Sequence, residues 1–131
     1  MATVQDVRSI AEALPEVTAG DHGHDHLTGW SVRGKAFVWE RPLRQRDIAD
    51  LDGAGERVPR GEIFAVRVPS EDKEAVLASV PGAFHVPHFN GFPAVLVELD
   101  AIAVDELREL ITDGWIAQAP KRLAKAFLDG A

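Results

Sequence analysis

Apolar residues recur at helical spacing in three stretches of the chain, and each stretch predicts an amphipathic helix. The first apolar stripe consists of Val4, Val7, Ile10, Ala11 and Leu14. Thr3 is suited to cap this helix, with Asp6 three residues later, and Pro15 stops it. The other two stripes are Val104, Leu107, Leu110, Ile111 and Trp115, and then Leu123, Ala124, Phe127 and Leu128 after Pro120.

Alternating and short apolar runs predict five strands, over residues 30–32, 36–39, 62–69, 83–86 and 93–99. Arg33 and Gly34 separate the first two and predict a tight hairpin turn, because glycine tolerates a positive φ. Ser70 and the acids that follow it predict a short helix after the third strand. The polar residues 19–29 predict a loop. Residues 41–61 predict a long surface loop with at most one helical turn, near residues 46–51.

The resulting order of elements is α-β-β-β-α-β-β-α-α. Short connections and alternating strands favour an antiparallel sheet with the helices packed on one face, which is a two-layer α+β fold. The run Ile63–Val66 is apolar in both strand registers. We therefore expect part of the second sheet face to be covered as well, by the long loop or by a partner.

Composition places the chain among small globular proteins. Its 131 residues, 46% of them hydrophobic, suit one domain over residues 1–131. The absence of cysteine excludes disulfides and thiolate-ligated metals and fits a reducing cytoplasm. The apolar run Phe92–Val97 is far shorter than the roughly 20 residues of a membrane helix. Charged residues also interrupt the N-terminal region where a signal peptide would be apolar, so we expect a cytoplasmic protein with no membrane partner.

Four segments of the chain together resemble the MmcQ/YjbR-like family. They are Leu14–Thr18, Val32–Phe37, Pro87–Val97 and Ala119–Leu123, which occur in the family's order and at its spacing. The Pro-His-Phe-Asn-Gly sequence at residues 87–91 is the most specific part of the resemblance. The resemblance implies a compact α+β fold described as a double wing, and a DNA-binding function. The sequence departs from many members at the histidine-rich residues 21–26 and at residues 41–61.

Basic residues concentrate in two segments of an acidic chain. The net charge is −7, which argues against a protein that coats nucleic acid by bulk electrostatics. The candidate nucleic-acid-binding residues are Arg33, Lys35, Arg41, Arg44, Arg46, Lys121, Arg122 and Lys125. The last three span about 100° of the final helix, opposite its apolar stripe. If the hairpin and this helix are neighbours, they form one basic face that holds phosphates; the alternative is that these cations only solubilise the surface.

Histidines suggest two further sites. His22, His24 and His26 alternate with two aspartates, a donor set that suits zinc, nickel or copper. A glycine-containing loop is poorly preorganised, however, so we expect no physiological metal there. His85 and His88 are expected to point to opposite faces, one buried and hydrogen-bonded and the other at the surface. The functional alternative is a small pocket near the hairpin, lined by His88, Asn90 and Lys35.

Signatures of catalysis are missing from the sequence. It contains no nucleophile elbow, no phosphate-binding loop and no complete dinucleotide motif, so we expect a non-enzyme with no cofactor. The leading hypothesis is a DNA-binding module that uses the basic hairpin and last helix. The alternative is a protein- or small-ligand-binding module without nucleic-acid affinity, and the third possibility is a metal-responsive loop. We expect a monomer or a weak homodimer.

Overall fold

A computed structural model describes residues 1–22 and 27–130 of the chain. In this part of the chain, five α-helices and six strands form the fold. The helices are α1 (Val4–Glu12), α2 (Gln45–Gly53), α3 (Lys73–Ser79), α4 (Val104–Gln118) and α5 (Lys121–Gly130). The strands are β1 (Val17–His22), β2 (Leu27–Val32), β3 (Lys35–Glu40), β4 (Ile63–Arg67), β5 (Ala83–Phe84) and β6 (Ala94–Glu98). None of the described helices combines the length and the apolar character needed to cross a bilayer.

The six strands form one antiparallel sheet, which confirms the predicted α+β fold. Their order across the sheet is β1-β2-β3-β4-β6-β5. The helices α1, α4 and α5 supply the apolar stripes predicted from the sequence, and these stripes pack against one face, except for Leu128 near the end of α5, which is exposed. The main core therefore lies between these helices and the sheet.

The second face of the sheet is also covered, by α2 and the loop after it. In β4, Phe64 and Val66 belong to the main core, whereas Ile63 and Ala65 pack on the opposite face beside Leu51 of α2. The double burial of β4 explains why its sequence is apolar in both registers. The chain itself covers this part of the second face. The helices were expected to pack on one face of the sheet, but α2 lies on the other.

Two predicted loops contain regular structure. Residues 19–29 include the second half of β1 and the first residues of β2, where Gly20 lies opposite Gly29 in the register. Glycine has a low strand propensity, but pairing of the two backbones outweighs it here. Residues 41–61 contain α2, whose buried residues are Asp47 and Leu51. Because one of its two inward-facing residues is the acid Asp47, the hydrophobic pattern did not reveal this helix.

The loop after α2 is fastened to β6 by a buried carboxylate. Both oxygens of Glu98 accept hydrogen bonds of 2.9 Å from the Arg57 guanidinium, and Oε2 also accepts from the Arg60 N–H at 3.1 Å. The bonds from Arg57 hold the pKa of Glu98 below its ordinary value even though burial opposes this. The loop is thereby held at the end of the sheet.

A β-bulge sets which side of β3 each residue faces. Trp30 pairs with Val38 and Ser31 pairs with Ala36, so Phe37 has no partner in the register. Phe37 and Val38 both enter the main core, as the extra residue of a bulge allows. Ala36 packs on the α2 side. Because side chains alternate along a strand, Lys35, which precedes Ala36 in β3, faces the side of α4 and α5.

Helix α4 approaches the sheet closely at Gly114. A Cβ placed on this residue would lie 2.6 Å from the carbonyl oxygen of Arg67 and 3.3 Å from that of Phe37. Backbone atoms of two neighbouring strands thus occupy the space that a side chain would need. A glycine that weakens a helix in isolation here permits the helix to lie against β3 and β4.

We expect Gly114→Ala to destabilise the protein by about 2 kcal/mol or more, because the methyl group overpacks against backbone that cannot move aside. Gly53→Ala is the matched control: Gly53 also lies in a helix, and a Cβ there meets nothing within 4 Å. The control should be neutral or slightly stabilising. Urea unfolding of both variants measures the difference. Equal stability of the two variants would contradict a close backbone contact at Gly114.

Candidate functional site

The end of α4 connects the helical layer to the start of β3. Gln118 donates a hydrogen bond of 3.0 Å from Nε2 to the carbonyl oxygen of Ala36. One turn earlier, Trp115 Nε1 donates to the Pro15 carbonyl oxygen at 3.1 Å. The Trp115 ring also packs against Phe127 of α5, with 5.0 Å between ring centroids. The bond from Gln118 brings the start of α5, three residues further along the chain, near the first residues of β3.

Three exposed cations lie at this junction. Lys35 is the first residue of β3, and Lys121 and Arg122 are the first two residues of α5. We call these three residues the hairpin–helix cluster. Within the described part of the chain, no acid forms an ion pair with any of them. Their charges are therefore available to an external anion.

Two further cations flank the hairpin–helix cluster, and each is engaged with an acid. Arg33 lies in the hairpin turn at φ 49°, next to Gly34 at φ 81°. Its guanidinium donates to Glu16, and this hydrogen bond lowers the pKa of the Glu16 carboxyl. Lys125 forms an ion pair with Asp129 one turn along α5. Both pairs are exposed, so an anionic partner can compete for these cations at little cost.

The charges at the start of α5 oppose its dipole. A helix N-terminus carries partial positive charge and favours acids, as in α1 with Asp6 and α4 with Asp105 and Glu106. The first turn of α5 contains Lys121 and Arg122 and no acid. Its first backbone N–H groups also lack partners within the helix. The site is therefore a concentration of positive charge and hydrogen-bond donors.

Arg41, one of the predicted phosphate ligands, is buried in the structure. Its Nη1 donates to Asp47 Oδ2 at 2.9 Å and to the Pro42 carbonyl oxygen at 2.7 Å, and its guanidinium lies 5.5 Å from the centre of the Phe89 ring. Only 7% of its side chain is exposed. The guanidinium therefore cannot reach a phosphate, and Arg41 is not a nucleic-acid-binding residue. Its bond to Asp47 instead fixes α2 against the sheet.

The Arg41–Asp47 pair also sets the start of α2. Asp47 Oδ2 accepts a second hydrogen bond, of 2.9 Å, from the backbone N–H of Arg44. Burial alone would raise the pKa of Asp47, but the bonds from Arg44 and Arg41 outweigh it and hold this pKa below its ordinary value. One nitrogen of Arg41, Nη2, is buried with no hydrogen-bond partner among the described residues.

Arg44 and Arg46 lie apart from the hairpin–helix cluster. They are at the start of α2, which covers the second face of the sheet, and Arg46 is paired with Asp50. The six residues of β3 separate Lys35 from this region by about 20 Å along the strand. The single basic face expected for the hairpin therefore divides into two. Its first half lies near the start of α5, as the basic-face hypothesis requires, and its second half does not.

A second concave site lies between α3 and residues 85–91. It has a volume of about 520 Å³ and is lined by Ser70, Glu71, Lys73, Glu74, Leu77, His85, Asn90 and Gly91. We call it the α3 cleft. His85 Nε2 and Asn90 Oδ1 are 2.6 Å apart, so His85 donates and Asn90 accepts. Lys73 donates to the carbonyl oxygens of Phe89 and Phe92 at 2.9 and 2.7 Å, and burial lowers the pKa of its ammonium group.

The structure rearranges the pocket predicted from the sequence. Asn90 lines the α3 cleft with His85, whereas His88 is exposed and Lys35 belongs to the hairpin–helix cluster. As expected, one histidine is hydrogen-bonded and the other lies at the surface, but His85 is only half-buried. Sequence reasoning missed Lys73, which lies between acids at the start of a short helix.

The candidate metal-binding histidines of residues 21–26 fall outside the part of the chain whose side chains the structure describes. Residues 23–26, which include His24 and His26, lie outside the described residues, and the side chain of His22 does too. Within the described residues, no group of three or more histidine and acidic side chains could hold a metal ion.

Comparisons with known proteins cover most of the chain. A family model described as YjbR matches residues 12–117. An uncharacterized protein of Mycobacterium tuberculosis, Rv2570, is 49% identical over 130 residues, which are 98% of this chain and 97% of that protein. The uncharacterized protein Mb2600 of Mycobacterium bovis matches with the same identity and coverage. No solved structure matches the chain.

We expect Asp47→Asn to cost about 3 kcal/mol of stability near neutral pH, because it leaves the buried Arg41 guanidinium without its counter-charge. The pKa of Asp47 is lower in the folded protein than its ordinary value of 3.8. Its carboxylate therefore stabilises the fold above about pH 4, and this contribution is lost as the pH falls through the lowered value. Urea unfolding of wild type and variant across this range should show a gap that narrows in acid.

Asp105→Asn is the control for this experiment. Asp105 is 96% exposed and is paired with Arg108 on the surface of α4. Its substitution should change stability by less than about 0.5 kcal/mol. A stability gap between wild type and Asp47→Asn that stays constant or widens with falling pH would contradict the role assigned to the Asp47 charge.

Proposed function

This chain belongs to the YjbR family, and from that premise we propose that it is a non-enzymatic module that binds DNA through the hairpin–helix cluster. Lys35, Lys121 and Arg122 contact the phosphate backbone in this proposal, and Arg33 and Lys125 add to the surface. The proposal places the protein in the cytoplasm, consistent with its lack of cysteine.

One observation carries the proposal: two unpaired cations occupy the first turn of α5 beside a third cation on β3. Each cation at a helix N-terminus costs the isolated fold a few tenths of a kcal/mol or more. A bound phosphate reverses the sign of this effect, since it interacts favourably with the cations and with the free N–H groups of α5. The arrangement thus favours an anionic partner over the free protein.

The exposure of these cations supports a polymer as the partner. Lys35, Lys121 and Arg122 all lie on the surface, and the bond from Gln118 to Ala36 brings the start of α5 near the start of β3. Exposed cations on one surface can contact successive phosphates of one backbone. The surrounding chain is acidic, with a net charge of −7. We therefore expect modest, sequence-independent affinity confined to this surface.

The test compares two double variants that change the net charge equally. Lys35→Glu/Lys121→Glu reverses two of the three charges of the hairpin–helix cluster, whereas Arg44→Glu/Arg46→Glu reverses two arginines on the other side of the sheet. Fluorescence anisotropy with labelled duplex and single-stranded DNA at about 50 mM salt should show micromolar binding by wild type. The first variant should bind at least about tenfold more weakly, and the second should differ from wild type by about threefold or less.

Salt dependence provides a second readout of the same experiment. Neutralisation of about three phosphates predicts that duplex affinity falls about 40-fold between roughly 50 and 200 mM salt. The cluster variant should show a clearly shallower dependence. Equal losses in the two variants would assign binding to bulk charge, and absence of binding by wild type at low salt would refute the proposal.

A further inference from the structure

The α3 cleft has two walls of different chemistry. One wall is the face of α3 and of the turn before it, where Ser70, Glu74 and Leu77 follow one another at helical spacing. Glu71 adds a second carboxylate to this wall. The opposite wall consists of His85, Asn90 and Gly91. This site shares no residue with the hairpin–helix cluster.

Hydrogen-bond donors converge at the base and at the far wall. Lys73 uses two of its three N–H groups on the carbonyl oxygens of Phe89 and Phe92, which leaves one N–H for a ligand. Asn90 uses its oxygen to accept from His85, so its amide NH₂ group is the part that remains available. An ammonium and an amide donor at one site suit a carboxylate.

The acids of the first wall suit a cation. Within the described residues, neither Glu71 nor Glu74 forms an ion pair, although both lie near Lys73 in sequence. The Lys73 ammonium is committed to backbone carbonyl groups on the other side. The two carboxylates three residues apart on one helical surface repel each other, and a cationic group between them relieves this repulsion.

His85 indicates that the arrangement of the far wall is not optimised for stability alone. Because Asn90 Oδ1 can only accept, Nε2 of His85 carries a proton and donates it. Nδ1 is buried with no hydrogen-bond partner among the described residues. Buried polar atoms are usually paired, and an exception costs free energy. Here the imidazole fixes the Asn90 amide so that its donors point away from the histidine.

We propose that the α3 cleft binds a small zwitterion of the amino-acid class. The ligand carboxylate binds Lys73 and the Asn90 amide, and the ligand ammonium binds Glu71 and Glu74. An apolar ligand side chain lies against Leu77, the one large aliphatic residue of the lining. The cleft is large enough for a free amino acid, and the two walls recognise its two charges separately. This proposal is independent of DNA binding.

The experiment titrates the purified protein with individual L-amino acids at up to about 10 mM and follows the melting temperature and amide NMR signals. An amino acid with an apolar side chain should raise the melting temperature and shift signals of residues 70–77 and 85–91. Its N-acetyl derivative lacks the ammonium group, and its amide derivative lacks the carboxylate. Each derivative should bind at least about tenfold more weakly.

Two variants test the walls separately. Glu74→Gln changes an exposed side chain, and Asn90→Asp keeps the acceptor for His85 but places a second negative charge against the ligand carboxylate. Each should weaken binding at least about tenfold, whereas Glu109→Gln, an exposed acid on α4, should leave it unchanged. The proposal is overturned if no amino acid binds, if a derivative binds as well as its parent, or if Glu74→Gln binds like wild type.

Discussion

The contact of α4 with β3 and β4 at Gly114 is the constraint on which the arrangement of the helical layer depends. Only a glycine allows the helix axis to come this close to the carbonyl oxygens of Arg67 and Phe37. From this contact, Trp115 reaches the Pro15 carbonyl and Gln118 reaches Ala36. The position of the start of α5 near the first residues of β3 follows from these bonds. A packing constraint in the core thus determines where charge accumulates on the surface.

The segment that covers the second face of the sheet is held by ion pairs with buried acids, whereas the helices on the first face are positioned by close packing. Asp47 holds Arg41 beneath α2, and Glu98 holds Arg57 in the following loop. Each acid is buried and accepts more than one hydrogen bond, which compensates for its desolvation. These pairs explain how a segment with few large aliphatics is held against the second face of the sheet. They also remove one arginine from the set of cations available to a partner.

The sequence was informative wherever one physical effect dominated. Regular apolar spacing revealed α1, α4 and α5, and apolar residues in both registers revealed that β4 is covered on both faces. Prediction failed where long-range contacts decide the structure. Gly20 and Gly29 form strands because their backbones pair, and α2 is held in place by an acid. The same limit applies to the sites. Arg33 and Arg46 were grouped because they are close in sequence, although strand β3 separates them in space. Lys73 and Asn90 line one cleft, but they are too far apart in sequence to have been grouped.

The structure therefore separates two surfaces of different chemistry on one small fold. The hairpin–helix cluster offers three exposed cations without an ion-pair partner among the described residues, and the α3 cleft offers a small site lined by hydrogen-bond donors and acids. The most direct test of the first assignment is an NMR titration of isotope-labelled protein with a short DNA duplex at low salt. Our account predicts the largest amide shifts at residues 33–36 and 118–125. Largest shifts at residues 44–50 or around the α3 cleft, or no shifts, would contradict it.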